Sequence, residues 1–339
     1  MIHANHPVRI GEAGERVTDE VDPILVLVGP TASGKTALSV ELATTFPGGG
    51  ECISADSMQV YRGMDIGTAT PTEAERGGIP HHLLDVADPY DAGFTVHDWL
   101  TRTEAAISEI RSRKRLPIVV GGTNLYVRAL LEGVFEGPAI PPHIREALEQ
   151  LPNERLREQL TTHDPPSAER IHPNDRRRMI RALEVFEATG IPISNQQTQW
   201  SESIMQPRPD AVIVCLDWEP AELNRRINRR VGLMMEQGFL EEVRELTRRG
   251  TLGQQAAEAV GYKELTLHLS GKSDLQDAVE QIKIRSRRYG KQQRTWIRRF
   301  HAITGVLRVS CTEECGTADS IQTLLNHLSS WTAELEKDR

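Results

Sequence analysis

The chain has no run of about 18 apolar residues, so no segment is built to cross a bilayer as a helix. Its start, MIHANHPVRIGEAGERVTDEVD, lacks the basic-then-apolar order of a secretion signal and reads as a polar, disordered leader over residues 1–22. A cytoplasmic protein follows as the default. Four cysteines, Cys52, Cys215, Cys311 and Cys315, are too few and too scattered for a disulfide framework. Cys311 and Cys315 would need two further ligands to hold a metal; His327 follows, but no second His or Cys lies beyond it, so zinc is not expected. Repeats and low-complexity tracts are also missing. Net positive charge is absent too: the balance is −8, which by itself argues against a nucleic-acid partner.

The distribution of charge argues otherwise. IRSRRYGKQQRTWIRRF, Ile284 to Phe300, carries Arg285, Arg287, Arg288, Lys291, Arg294, Arg298 and Arg299 with no acid among them. A polyanion feels such a local stripe within a Debye length, not the overall balance. Two further arginine clusters lie on helical patterns. HPNDRRRMIRALEVFEATG takes Asn174 or Asp175 as N-cap, Met179, Leu183 and Phe186 as its core face and Gly190 as its stop, leaving Arg177, Arg178 and Arg181 on a shared surface. EPAELNRRINRRVGLMM turns Leu223, Ile227, Val231 and Met234 inward, with Arg226 and Arg230 one turn apart alongside. One such cluster is ordinarily a solvated helix face; three together suggest a phosphate-rich partner.

The stretch VLVGPTASGKTAL, Val26 to Leu38, gives a different kind of anion site. An apolar strand runs into Gly29-Pro-Thr31-Ala32-Ser33-Gly34-Lys35-Thr36 and then a helix, the spacing of a P-loop. Gly29 and Gly34 permit the tight turn, backbone N–H groups and the helix start face an anion, Lys35 adds a point charge and Thr36 a hydroxyl for Mg2+. A di- or triphosphate binds here, but the loop does not name it.

Length suggests one large or two modest domains. Short β-branched runs, ILVLVG (24–29), ECISAD (51–56), LPIVVGG (116–122) and DAVIVCLD (210–217), alternate with helical patterns at Thr36 to Phe46 and Val96 to Ser112. That is the signature of an α/β fold with a parallel sheet. The reading is a P-loop NTPase-like parallel sheet core flanked by helices, formed discontinuously by residues 23–136 and 201–310. A helical insertion domain spans 137–200, purely helical from Ile144 to about Thr189. After the strand at Ala211 the chain is expected to run mostly helical, ending in a tail or helix over 311–339.

An ATP-using P-loop enzyme normally adds a hydrophobic strand ending in Asp that helps hold magnesium. Here LPIVV ends in Gly121-Gly122-Thr123 instead, and Asp217, after AVIVCL, reads as a helix-start residue. A small-molecule kinase therefore lacks a part. The second strand delivers Asp56 and Ser57 at its carboxyl end, followed by Met58 and Gln59, where ligands gather in parallel sheets. Asp56 could be a general base, a magnesium ligand or a helix cap.

The segments GPTASGKTAL, ISADSMQVYRGMDIGTATP, IPHHLLDVADP, VVGGTNLYVRALLEG, RIHPNDRRRMIRALEVFEATG, AVGYKEL and RYGKQQRTWIRR occur in the order seen in tRNA dimethylallyltransferases, and from about Ile24 to Phe300 the chain resembles that family. The resemblance implies that the phosphates belong to dimethylallyl diphosphate and that the prenyl group moves to N6 of the adenosine at tRNA position 37, beside the anticodon. Gly29, Thr31, Ala32, Ser33, Gly34, Lys35, Thr36 and Arg230 would bind the diphosphate, with Mg2+ at Thr36. Lys35, Thr36 and Arg230 would stabilise charge on the leaving group, and Asp56 would take the proton of an adenine flipped out of its stack. Asp56, Ser57, Met58, Gln59 and Thr123 would meet the tRNA near that base, and Arg145, Arg177, Arg178 and Arg181 would grip the anticodon stem-loop. His81 and His82 are assigned structural roles and Trp296 a core position, while the RYGKQQRTW stripe would line the substrate face. A monomer is expected. Adenylate isopentenyltransferases, which modify a free nucleotide, are a close alternative that the insertion and arginine clusters disfavour, and a non-catalytic tRNA-binding module is a further one.

Overall fold

The computed structural model describes residues 23–91, 93–134, 137–138, 140–196 and 207–312. The leader 1–22, the tail beyond Thr312, Cys315 and His327 lie outside them. No helix among the described residues is long and apolar enough to cross a membrane.

In chain order the elements are β1 (Ile24–Val28), α1 (Lys35–Thr45), β2 (Gly50–Ala55), α2 (Glu73–Arg76), β3 (His81–His82), α3 (Val96–Ser112), β4 (Leu116–Gly121) and α4 (Asn124–Glu132). Five helices follow: α5 (Pro142–Glu149), α6 (Asn153–His163), α7 (Pro165–Arg170), α8 (Arg176–Thr189) and α9 (Ile193–Gln196). Then come β5 (Ala211–Trp218), α10 (Pro220–Glu236), α11 (Phe239–Arg249), α12 (Gln254–Ala257), α13 (Tyr262–Leu269), α14 (Leu275–Phe300) and β6 (Leu307–Cys311).

The six strands form one parallel sheet in the order β3-β2-β4-β1-β5-β6. β1 is buried along its whole length: Ile24, Val26 and Val28 pack into one apolar cluster and Leu25 and Leu27 into another. Burial on both faces is why the strand reads as an unbroken apolar run. The register aligns the strand tips. Val28 pairs with Gly121 and Gly121 with Ala55, so the loops after β1 and β2 emerge at one level with β4 between them. A Cβ at Gly121 would lie 2.2 Å from the Ala55 carbonyl oxygen, so glycine alone lets these tips close.

Helices α5 to α9 enclose a small core of their own, built on Leu148, Leu156, Leu160, Met179 and Leu183. Asp175 caps α8, its carboxylate accepting the Arg178 N–H at 3.2 Å, and Gly190 ends the helix at φ 70°. Phe186, expected on the core face, is only half-buried and stacks on His163 at 4.3 Å.

After β5 the chain runs mostly helical, through α10 to α14, and then adds β6, which pairs with β5. One expectation fails at this edge of the sheet. Asp217 does not start a helix: it is still within β5 and pairs with Arg308 of β6 at 3.2 Å and His301 at 3.3 Å. The cap of α10 is Glu219, whose carboxylate accepts the Ala221 and Glu222 N–H groups.

Candidate active site

The loop between β1 and α1 is held open as an anion cradle by ties on its carbonyl side. The Pro30 oxygen accepts from Lys35 Nζ at 2.8 Å, the Ala32 oxygen from Arg226 Nε at 2.8 Å and the Ser33 oxygen from Trp218 Nε1 at 3.1 Å. Arg226 also lies over the Trp218 ring, 4.4 Å from its centre. Ala32 and Gly34 take positive φ values of 62° and 87°, the alternation that gathers backbone N–H groups into a nest. No side chain caps α1, so its first N–H groups face the same concavity. A side chain at Gly29 would displace the buried Ser33 hydroxyl, which would lie 2.7 Å from its Cβ.

Several amides of this loop are already used: Gly29 donates to the Gly121 carbonyl at 3.4 Å and Ser33 to that of Pro30 at 3.2 Å. Thr31 donates its N–H to Gln293 Oε1 at 2.7 Å, and Gln293 Nε2 donates to the Gly122 carbonyl at 2.9 Å. Gln293 is buried on α14 and ties the cradle to the tip of β4. It also explains the second glycine of that tip, where a Cβ would come within 2.3 Å of Nε2. One turn earlier on α14, Tyr289 contacts the Thr123 and Gln293 side chains, and burial pushes its hydroxyl above its ordinary range. Thr123 Oγ1 in turn accepts the Ser57 N–H at 3.0 Å.

Three cavities follow one another here. The largest, about 690 Å³, is the mouth over the cradle and is lined by Ala32, Ser33, Gly34, Lys35, Thr36, Arg226, Arg229 and Arg230. A small one of about 80 Å³ shares Lys35, Thr36 and Arg230 with it and adds Asp56, Gln59 and His81. An apolar one of about 270 Å³ shares Thr31, Asp56, Thr68, Arg230 and Tyr289 with the small one and is walled by Ile227, Val231, Met234, Phe239, Tyr262 and Ile282. Ser57 and Met58 line the apolar cavity as well. Asp56 thus stands where the polar and apolar ends meet. One of its oxygens, Oδ1, accepts the Met58 N–H at 2.9 Å.

The cations of the passage are tuned by enclosure. Burial pushes Lys35 down to about 7, helped by the charge of Arg230 and opposed by that of Asp56. Arg230 is lowered by burial too, with Asp56 opposing, but a guanidinium starts high enough to stay charged. It lies 3.3 Å from the Thr31 hydroxyl.

The remaining expected site residues are spread more widely. Gln59 spends its amide on the protein: Oε1 accepts from Ser54, and Nε2 donates to the carbonyls of Thr68 and Ala69. Thr123 is not among the residues lining the three cavities but touches two that do, Ser57 and Tyr289. Arg145 and Arg181 converge on buried Glu184 at 3.1 and 3.6 Å, Arg178 pairs with Asp175 at 3.3 Å, and Arg177 lies exposed on the same helix. His82 bonds to Glu51 at 2.7 Å, whereas His81, held to the Ile79 carbonyl, also lines the small cavity. Trp296 is half-buried, edge-on to Phe300. Of the basic stripe, the uncharged Tyr289 and Gln293 face the passage, while Arg288 and Lys291 are exposed. Their spacing of four on a helix was the signal, hidden among seven cations.

Residues 59–300 match the family model described as IPP transferase. A tRNA dimethylallyltransferase of Shouchella clausii is 48% identical over 282 residues, 82% of this chain and 88% of that protein. Another, from Symbiobacterium thermophilum, is 47% identical over 287 residues, covering 83% and 88%. Among solved structures, a tRNA isopentenylpyrophosphate transferase of Bacillus halodurans superposes with a TM-score of 0.68 at 39% identity, covering 93% of this chain and 98% of that one. A eukaryotic dimethylallyltransferase acting on tRNA gives 0.77 at 30% identity, covering 91% and 80%.

Proposed function

The chain belongs to the IPP transferase family, and on that premise we propose how its own residues carry a dimethylallyl group from dimethylallyl diphosphate to N6 of adenosine 37 in tRNA. The observation that carries the reading is the shared passage: an anion cradle with Lys35 and Arg230 at one end, an apolar cavity at the other, and Asp56 on the wall that the apolar cavity shares with the small one joining it to the cradle.

The donor's diphosphate sits on the N–H groups of the loop and of α1, between Lys35 and Arg230, and its prenyl group extends toward Asp56. As the C1–O bond breaks, the bonding pair leaves with the diphosphate and meets fixed positive charge already in place. The adenine amine is a weak nucleophile because its lone pair is delocalised into the ring. N6 forms the new bond to C1, and Asp56 accepts the N6 proton, removing the positive charge that would build on nitrogen. The hydroxyl of Thr36 would hold Mg2+. Among the described residues no cluster of acidic, His or Cys ligands offers a full protein cage, which suits a magnesium ion carried on diphosphate oxygens and water. When bound it would neutralise charge on the leaving group.

Radiolabelled dimethylallyl diphosphate offered with unmodified tRNA, with AMP, or with ATP and candidate acceptors in place of the prenyl donor tests the assignment. Label should enter tRNA alone. Label entering AMP, or phosphate leaving ATP, would overturn it.

The lowered Lys35 predicts a proton linkage. Near pH 8 the empty site holds Lys35 largely neutral, and an arriving diphosphate favours the charged form, so donor binding takes up a proton. The Kd for the donor should therefore rise between pH 7 and 9, and calorimetry in buffers of different ionisation enthalpy should register the uptake.

The exposed arginines of α8 serve the tRNA backbone. The ion pair of Arg178 with Asp175 is too exposed to matter much for folding. Arg178→Ala should leave the melting temperature unchanged, raise the Kd for tRNA about fivefold, and reduce the slope of log K against log salt by about one unit. Filter binding across a salt series checks it.

A further inference from the structure

Between Asp56 and α2 the chain makes a loop, residues 64–71, that borders all three cavities. Gly67 and Thr68 face the apolar one, Thr68 and Ala69 the small one, and Asp65, Ile66, Ala69 and Thr70 the mouth. The carbonyls of Thr68 and Ala69 also receive the Gln59 amide. This loop therefore forms one side of the whole route from cradle to apolar cavity.

A single carboxylate fixes its first half. Glu242, on α11, accepts the N–H groups of Asp65 at 2.9 Å and Ile66 at 2.7 Å on Oε2. Its Oε1 accepts the Gly67 N–H at 3.1 Å and the Tyr262 hydroxyl at 2.6 Å. Four donors on one anion, three of them consecutive backbone amides, make a charge-assisted clamp of the kind that orders a loop. The clamp presses the loop against the opposite wall: a Cβ on Gly67 would lie 2.2 Å from the Phe239 ring and 2.5 Å from that of Tyr262. Those two rings, edge-on at 5.1 Å, wall the apolar cavity.

We propose that Glu242 is a positioning residue for prenyl transfer, setting the separation between loop 64–71 and the α11–α13 wall so that donor and acceptor meet at Asp56. The proposal rests on the transfer reaction assigned above. Glu242 lies beyond the cavity walls and acts through Thr68, Ala69 and the Gln59 amide. A misplacement of about 1 Å in such a wall can cost on the order of a hundredfold in rate.

Glu242→Gln is nearly isosteric but presents one acceptor oxygen where two were used and turns an NH2 group toward donors, so about half of the clamp is lost. The variant should fold, show a donor KM raised roughly five- to tenfold with kcat lowered about tenfold, and exchange the amide hydrogens of residues 65–67 faster than the wild type. A role confined to fold stability would lower the active fraction and leave KM alone. Unchanged KM values, or unaltered exchange at residues 65–67, would overturn the proposal. Should Glu242→Gln not fold, Glu242→Asp gives the same readouts, and unprotected amides at 65–67 in the wild type would already refute the clamp. If the wild type transfers no prenyl group to any tRNA, the assigned reaction fails, while the difference in exchange between wild type and variant still decides whether the clamp exists.

Discussion

Asp56→Asn is expected to lower single-turnover prenyl transfer roughly a thousandfold while tRNA affinity stays near that of the wild type. Alanine alone would be ambiguous here, because Asp56 has two jobs. Its Oδ1 accepts the Met58 N–H and so shapes the turn after β2, and the carboxylate as a whole faces both cavities. Asparagine keeps an oxygen for Met58 and removes the base, so a loss shared by Asn and Ala belongs to proton transfer and any extra loss in Ala belongs to the turn. Lys35 and His81 also line the small cavity, so their variants serve as controls for the base. Tyr289 stands nearby, but burial raises its hydroxyl far from the range in which it could accept a proton near neutrality. Wild-type turnover by the asparagine variant would refute the assignment of the base.

Lys35→Met should separate activity from stability in opposite directions. Turnover is expected to fall about a hundred- to a thousandfold, because one of the two cations placed to meet the departing diphosphate is gone. The folded protein should nevertheless become more stable. In the folded chain Lys35 titrates near 7, against 10.5 for an ordinary lysine, so the unfolded state binds this proton more tightly and folding is opposed. The opposition is complete below pH 7 and fades as the pH climbs toward 10.5. A methionine of similar length carries no such penalty. Thermal melts of the two proteins should differ most at pH 6 and converge by pH 10, while a gap that widened with pH would contradict the burial of this amine. The conflict is what a buried anion-binding amine implies: a group enclosed so that it can take up charge with its ligand costs the unliganded protein stability.

Much of this was legible in the sequence, because the features concerned are local. The cradle spacing, the strand that feeds it and Asp56 at a strand end are encoded within a few residues each, and α8 shows in its helical periodicity, its Asp175 cap and its glycine stop. What escaped depends on contacts distant in the chain. β6 has only five residues, half-buried at an edge, and exists because β5 offers it a partner. Asp217 precedes a helix by a few residues, which made it resemble a cap, yet its partners come from β6 and the end of α14. Gln293 reaches Thr31 across 262 residues and Glu242 reaches Ile66 across 176, and both are polar residues on helices whose periodicity only places them on a face. Their importance appears once the face has something to hold.

The order of the sheet has a metrical consequence. With β4 alone between β1 and β2 and their tips in register, cradle and carboxylate stand two interstrand steps apart, on the order of 10 Å. That span accommodates a diphosphate's terminal linkage, one migrating carbon and an amine drawn up in line. Because the gauge is made of main-chain hydrogen bonds, side-chain evolution can alter which isoprenoid or which nucleoside enters without stretching the gap across which they must react.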